Sequence, residues 1–471
     1  MQNAFLFPFP FWLSILAMLG FGFHAWKMRY HGWGIPMIAV LGTVAAWYVG
    51  DVFYNNYADI RVQIGDSNFE AAWWEVALFV VAFGCLVPQM HRAVNRKILR
   101  RQHRGSQIFA MMRGGGIYRP SFQQQVDLLG RGVAFLWAIL MFLALIRTDF
   151  DFLGLFMPYL GDKAYPWSRG RLGGGIDALL VLGSYFQVLI TAAAGVVAAL
   201  AVRKQTRYVA IAIYFLTIPS YIFDRTRNTM LATLLPGLLA WTFLRFRGSL
   251  VARLLVLGTC FLVLNSWMKF VIQNRSTANI ALAMTDKDRW DDSKEAKHLG
   301  LNMFEELSWV NSFIETGAYR PNWGQRYFAE IVNPIPRVLW PGKPMIGIDY
   351  ALLRGQGFDQ AESSEAGVGA TISTGMIGQG VVNFGRIFGP LAVALIMACW
   401  VALLARLDLL GNEMGRLLLY VVGLILTFNL GRDITLVTLY PFCFGYLILY
   451  YQKKTRKPAG RSTRTSVTSR S

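Results

Sequence analysis

Long apolar stretches recur along the whole chain, and the short segments between them contain most of the charged residues. Stretches of this length and composition are typical of helices that cross a membrane. The pattern therefore predicts an all-α polytopic integral membrane protein. We predict about eleven transmembrane helices, at residues 5–26, 33–50, 71–90, 132–146, 176–202, 208–223, 229–244, 250–272, 387–405, 416–430 and 434–451.

The spacing of these spans divides the chain into four regions. Residues 1–272 hold the first eight helices with short connections, and residues 273–386 form one large loop. Residues 387–451 hold the last three helices, and residues 452–471 form a basic tail that we expect to be disordered.

The composition agrees with this assignment. The chain has 471 residues, of which 55% are hydrophobic and 15% charged, whereas a soluble domain has about 25% charged residues. Lys and Arg gather in alternate connections, which predicts that these lie in the cytoplasm, with the N-terminus and the large loop on the other side. The net charge of +19 reflects this bias, so we expect contact with anionic lipid and no nucleic-acid partner.

No cofactor or metal is expected from the sequence. Only one of the five histidines, His298, falls in the large loop, so no zinc-ligand spacing is present. Nucleotide-binding and serine-hydrolase motifs are also missing. The sequence therefore gives no support to an ATP-driven transporter or a serine hydrolase.

Two hairpin tips carry charges that we expect to lie below the membrane surface. The spans on either side of "DRTRN" have only about sixteen apolar residues each, which reach ~24 Å against a hydrocarbon core of ~30 Å. The tip "GRD" follows a similarly short run. Charges at such depth usually face a protein interior or a cavity with a function, although ion-paired locks or lipid anchors are the structural alternative. The charged residues of the two tips are Asp224, Arg225, Arg227, Arg432 and Asp433.

The large loop contains the rigid segment "NPIPRVLWPGKP", which includes Arg337, Trp340 and Lys343. Its prolines reduce the entropy lost when the loop is ordered. Arginine binds phosphate through paired hydrogen bonds, so these cations, with Arg326, favour an anionic ligand. Trp340 is a candidate for stacking on a sugar ring, or for packing the loop onto the bundle.

Two further segments of the loop have recognisable patterns. Residues 304–319 place apolar side chains on one helical face, which predicts an amphipathic helix against the membrane or the bundle. Glu305 and Glu306 near its start are expected to favour the helix dipole, and a general base is the less favoured alternative. The glycine-rich residues 367–390 are interpreted as a flexible connector or as backbone that approaches a ligand closely.

At "IPRVLWPGKP", followed by "GQGVVNFGRIFGP", the sequence resembles the Wzy-type oligosaccharide repeat-unit polymerases of bacterial envelopes. The resemblance implies a GT-C-like glycosyltransferase architecture in the bacterial inner membrane, with the large loop in the periplasm. It implies a metal-independent enzyme that joins undecaprenyl-pyrophosphate-linked oligosaccharide units into O-antigen or exopolysaccharide. A chain-length regulator protein is a candidate partner.

This resemblance gives the candidate residues their roles. Preorganised cations would stabilise the pyrophosphate leaving group, and a carboxylate would accept the proton of the acceptor hydroxyl. The catalytic candidates are Asp224, Arg225, Arg337 and Asp433. The substrate-binding candidates are Arg227, Arg326, Trp340, Lys343 and Arg432.

Two other functions remain open at this point. An O-antigen ligase-type transferase would need the same site, and only the motif resemblance favours the polymerase. A lipid-linked oligosaccharide transporter would need charges at the bilayer midplane, whereas most of the polar sequence here forms one outer loop.

Overall fold

Within the part of the chain that the computed structural model describes, every regular element is a helix. The described residues are 4–55, 57, 60–101, 105–106, 118–157, 166–167, 177–222, 227–246, 248–273, 302–332, 335, 339–344, 348–355, 372–410 and 413–455. The main helices are α1 (Phe9–Lys27), α2 (Gly34–Phe53), α3 (Asp66–Arg101), α4 (Pro120–Arg147), α5 (Asp177–Leu200), α6 (Lys204–Ile222), α7 (Arg227–Ala240), α8 (Leu250–Gln273), α9 (Met303–Glu315), α10 (Gln325–Val332), α11 (Ile348–Leu353), α12 (Gly375–Leu409), α13 (Met414–Arg432) and α14 (Leu436–Thr455).

Seven of these helices are long and apolar enough to cross a membrane, namely α1 to α5, α12 and α13. The prediction of an all-α, multi-pass membrane protein is confirmed. Four more predicted spans fall on α6, α7, α8 and α14, which are helical but do not belong to that group of seven. The number of eleven spans stays a prediction.

Hydrogen bonds join four of the basic connections in two pairs. The backbone N–H of Ser106, just after residues 91–104, donates to the carbonyl of Tyr30 at 2.8 Å. Arg245 donates to the carbonyl of Ala199 at 3.0 Å, beside the connection that follows α5. That all the basic connections share one side of the membrane stays a prediction, and so does the side that they face.

The predicted amphipathic helix is α9, and it packs into the bundle. Phe304, Leu307 and Val310 are buried, and the ring of Phe304 lies 4.4 Å from that of Trp73 on α3. The N-terminal N–H groups of α9 are satisfied by α2, because Asp51 accepts hydrogen bonds from the backbone of Phe304 and its neighbour at 2.7 and 3.1 Å. The sequence predicted that α9 packs against the membrane or against the bundle, and the structure shows packing against the bundle.

Much of the glycine-rich segment is helical, so the prediction of a flexible connector is wrong from residue 375 onward. Helix α12 begins at Gly375, twelve positions before the predicted span 387–405, and is broken at Gly385, where φ is +79°. Its first arm, residues 375–384, folds back on the second. A Cβ added to Gly380 would lie 2.6 Å from the carbonyl oxygen of Gly389. Glycine is required here because the two arms touch through their backbones.

Candidate functional site

The end of α13 is fixed against α2, which sets the position of the charged tip. The indole N–H of Trp47 donates to the carbonyl of Phe428 at 2.8 Å. Gly431 lies directly against Thr43 and Trp47, so a side chain at this position would clash. Arg432 and Asp433 follow immediately and are held close to the bundle.

The first arm of α12 begins beside this tip. The amide of Gln379 forms two hydrogen bonds with the backbone of Ile434, accepting at 2.9 Å and donating at 3.2 Å. The backbone N–H of Ile377 donates to the hydroxyl of Tyr48 at 2.9 Å. The N-terminus of a buried helical arm therefore faces Asp433, and helix N-termini favour negative charge.

Helix α10 brings a buried arginine to the same place. The start of α10 packs on the arm through Tyr327, whose ring centroid lies 6.1 Å from that of Phe384. Just before the helix, the backbone N–H of Asn322 donates to the carbonyl of Val382 at 3.1 Å. Arg326 is only 5% exposed. Among the groups that lower the pKa of Asp433, its guanidinium has the largest effect.

The carboxyl of Asp433 has a raised pKa. Burial is the main cause, and it outweighs the lowering effects of Arg326, the Ser373 hydroxyl, Arg432 and the Thr374 backbone N–H. The Nε of Arg432 donates to Ser373 at 3.0 Å. Among the described residues no ion pair joins Arg432 to Asp433, so the predicted alternative of an ion-paired lock at this tip is not observed.

Several buried polar atoms around Asp433 have no hydrogen-bond partner. They are Nε and Nη1 of Arg326, the hydroxyl of Tyr327, Oγ1 of Thr374, Oδ1 of Asn429 and Oδ1 of Asp433. More than nine in ten buried polar groups in proteins are satisfied, so a group of such atoms requires an explanation. Burial also raises the pKa of Tyr327, which keeps its hydroxyl as a donor. We call Arg326, Tyr327, Thr374, Asn429 and Asp433 the Asp433 cluster. Together they offer hydrogen-bond donors and acceptors to a polar ligand.

A second buried charged group lies at the start of α9 and is paired. Arg354 contacts carboxylate oxygens of Glu305 and Glu306 at 3.5 and 3.3 Å, and its guanidinium lies 4.5 Å from the ring centre of Trp309. Tyr350 donates a further hydrogen bond to Glu306. Because Arg354 has two opposite charges within 3.5 Å, we interpret the group as structural, although its Nε has no hydrogen-bond partner. Glu305 and Glu306 lie in the first turn of α9, as predicted, and Asp51 adds a third carboxylate at the same end of the helix.

The structure brings Arg326, Arg432 and Asp433 together and places two other predicted residues within the loop itself. Trp340 packs edge-on against Phe328 on α10, with the ring centroids 6.2 Å apart. The ammonium of Lys343 donates to the carbonyl of Ile335 at 2.7 Å, which closes the proline segment. Trp340 thus packs within the loop, and its stacking on a sugar ring stays a prediction.

Four predicted residues cannot be compared with the structure. Asp224, Arg225 and Arg337 lie outside the described residues, and so does the side chain of Arg227, although its backbone begins α7.

Sequence reasoning missed Tyr48, Tyr327 and Thr374. Thr374 carried a usable signal, because a Ser-Thr pair before an apolar run is typical of a helix start. Tyr327 stands next to Arg326 but had no distinguishing pattern. Tyr48 lies inside an ordinary apolar span, and only the packing of α12 on α2 shows its position.

Comparison of the chain with protein-family models, with curated proteins and with solved structures found no match.

Proposed function

We propose that this chain is a metal-independent glycosyltransferase that polymerises undecaprenyl-pyrophosphate-linked oligosaccharide units into O-antigen or exopolysaccharide. In this proposal the Asp433 cluster lies at the periplasmic face of the bacterial inner membrane. The growing chain leaves its lipid carrier and is joined to the non-reducing end of another lipid-linked unit.

The observation that carries the proposal is the set of unpartnered polar atoms in the Asp433 cluster. Two N–H groups of Arg326 are buried without an acceptor, and the guanidinium of Arg432 lies beside the same helix N-terminus. Leaving buried donors unsatisfied costs about 1–3 kcal/mol each. A diphosphate would satisfy these donors, and sugar hydroxyls would pair with Asn429 and Asp433.

The reaction that this arrangement suits needs no metal or nucleotide. The acceptor hydroxyl oxygen attacks the anomeric carbon of the donor sugar, and the bond from that carbon to the diphosphate oxygen breaks. The diphosphate leaves with the bonding electron pair, and its new charge is stabilised by Arg326 and Arg432. The hydroxyl proton passes to the carboxylate of Asp433. Its raised pKa makes it a stronger base than an ordinary aspartate.

Other residues predicted from the sequence keep their proposed roles. Arg225, Arg227 and Arg337 are further candidates for stabilising the diphosphate, and Asp224 is the alternative base. A chain-length regulator remains a candidate partner.

The test is the glycan profile of a strain in which the gene is deleted and then restored with variants. Arg326→Lys keeps the charge but loses the paired hydrogen-bond geometry, and Asp433→Asn removes the base. We expect both variants to yield lipid cores capped with single units, at normal protein levels. Arg320→Lys is the matched control, because Arg320 is exposed in the same loop, and it should restore full polymer.

Two outcomes would contradict the proposal. If the deletion strain accumulates long polymer that is not transferred, the chain is a ligase. If Arg326→Lys and Asp433→Asn both restore long polymer, the Asp433 cluster is not the reaction site.

A further inference from the structure

Helix α10 buries its charged side chains and exposes large apolar ones. Its buried face carries Arg326 and Glu330, each 5% exposed, together with Ala329 and Val332. Its outer face carries Phe328 and Ile331, which are 48% and 64% exposed. A helix beside water normally turns its charges outward and its apolar residues inward. The medium outside α10 must therefore favour apolar groups.

Neighbouring residues extend this apolar surface. Trp323 and Leu339 are 75% and 76% exposed, and Trp340 packs on Phe328. We call Trp323, Phe328, Ile331, Leu339 and Trp340 the apolar rim. An exposed apolar patch of this kind marks an interaction surface.

The apolar rim is continuous with the surface of a membrane-crossing helix. The ring of Phe384 lies 3.4 Å from the Cβ position of Gly324, next to Trp323. Three and four positions further along α12 are Ile387 and Phe388, which are 65% and 63% exposed at the start of the second arm. The exposed apolar surface of α12, which is long enough to cross the membrane, thus leads directly to α10.

We propose that the apolar rim is an interfacial anchor that inserts into the lipid leaflet at this end of the bundle. Helices that lie in the plane of the membrane bury one apolar face about 5–10 Å into the headgroup and acyl boundary. Tryptophan at the edge of such a surface suits the interface, because its ring is apolar and its N–H is polar. The partner is the bilayer itself, and no second protein is needed to cover the rim.

This anchor fixes the depth of the neighbouring site. Arg326 and Phe328 lie on opposite faces of α10, and a helix with its side chains is about 10–12 Å across. With Phe328 at the acyl boundary, the guanidinium of Arg326 lies at the level of the lipid phosphates. An anion attached to a lipid tail then reaches the Asp433 cluster sideways from the leaflet.

The test measures where single positions lie in lipid nanodiscs of phosphatidylethanolamine and phosphatidylglycerol. The four native cysteines are replaced by alanine, and a fluorophore is attached to Ile331→Cys, to Phe328→Cys or to the control Arg320→Cys. We expect doxyl-labelled lipid to quench positions 331 and 328 strongly and aqueous iodide to quench them weakly. Position 320 should show the reverse order.

Two results would overturn the inference. Strong iodide quenching at 331 and 328 would place the rim in water. Protection from both quenchers would show that protein covers the rim, as in contact with a second copy. Each variant must elute as a single symmetrical peak in detergent, and Leu339→Cys provides a third position if one of the first two fails to fold. This test does not depend on the proposed reaction, so the two can fail separately.

Discussion

Replacing Arg326, which is buried, and Arg354, which is partly buried, by methionine should separate a ligand site from a structural ion pair. Arg354 pairs with Glu305 and Glu306. Removing one partner of a buried ion pair typically costs about 3–5 kcal/mol, because the other charge is left unpaired. Arg354→Met should therefore lower the free energy of unfolding by about that amount. It should also leave the Asp433 cluster intact.

The same change at Arg326 has two opposing effects. It leaves Asp433 without the cation that lowers its pKa most, which destabilises the folded state. It also removes the buried Nε and Nη1 donors that have no acceptor, and each such donor costs about 1–3 kcal/mol. These terms offset each other, so we expect Arg326→Met to change stability by no more than about 2 kcal/mol at pH 7. Polymer formation should nevertheless be lost.

The pH dependence provides an independent check on this reasoning. The folded-state pKa of Asp433 is raised above its ordinary value. Its protonated form therefore contributes fully to the free energy of unfolding below the unfolded pKa, about 3.9. This contribution is lost as the pH rises through the folded-state pKa. Because Arg326→Met raises this pKa further, the loss in free energy of unfolding that it causes should grow as the pH increases. Adding Asp433→Asn should remove that dependence.

The assay is the midpoint of thermal unfolding of each purified variant in one detergent across a pH series. For a chain of this length a change of 1 kcal/mol shifts the midpoint by about 2 °C or less, so Arg354→Met should fall by several degrees and Arg326→Met by little. If Arg326→Met unfolds as early as Arg354→Met, then Arg326 is a structural residue and the interpretation of the Asp433 cluster is wrong.

Two further predictions concern packing and titration elsewhere. Gly389→Ala should destabilise the protein by about 1–3 kcal/mol, because the added Cβ would lie 2.5 Å from the backbone of Gly380. Gly132→Ala, with nothing within 4 Å of its Cβ, should be neutral or stabilising, and equal midpoints for the two variants would contradict the backbone contact. Burial raises the pKa of Glu306, so its contribution to stability is lost as the pH rises above the unfolded value of about 4.3. Glu306→Gln should flatten the decline of the unfolding midpoint over that range, and an unchanged slope would show that another group causes it.

The sequence alone determined the fold class and the apolar face of α9, whereas the burial of its polar residues Glu305, Glu306 and Asn311 was not predicted. Apolar runs long enough to cross a membrane are a local property, because a helix satisfies its own backbone hydrogen bonds wherever it lies. Phe304, Leu307 and Val310 were predicted to share one face for the same reason, and all three are buried. Such inferences need only the helical period.

The candidate site was predictable only in part. Arg326, Arg432 and Asp433 were assigned to one site from charge, position and the family resemblance, but the buried helical arm beside which they meet was not foreseen. The glycine-rich sequence before and after Gly385 explains why the arm was missed. Glycine-rich segments have low helical propensity. Close backbone packing nevertheless makes residues 375–384 a buried helical arm whose N-terminus faces Asp433.

Residue types and their local spacing thus determined which segments are helices and which charges are unusual. Only the tertiary structure decided which charges are satisfied. Arg354 and Arg326 are both arginines of the same loop, yet Arg354 contacts two carboxylates and leaves one buried N–H without an acceptor, whereas Arg326 has no carboxylate within ion-pair distance among the described residues and leaves two. The physical reason is that hydrogen bonding and desolvation depend on neighbours brought together from distant parts of the chain.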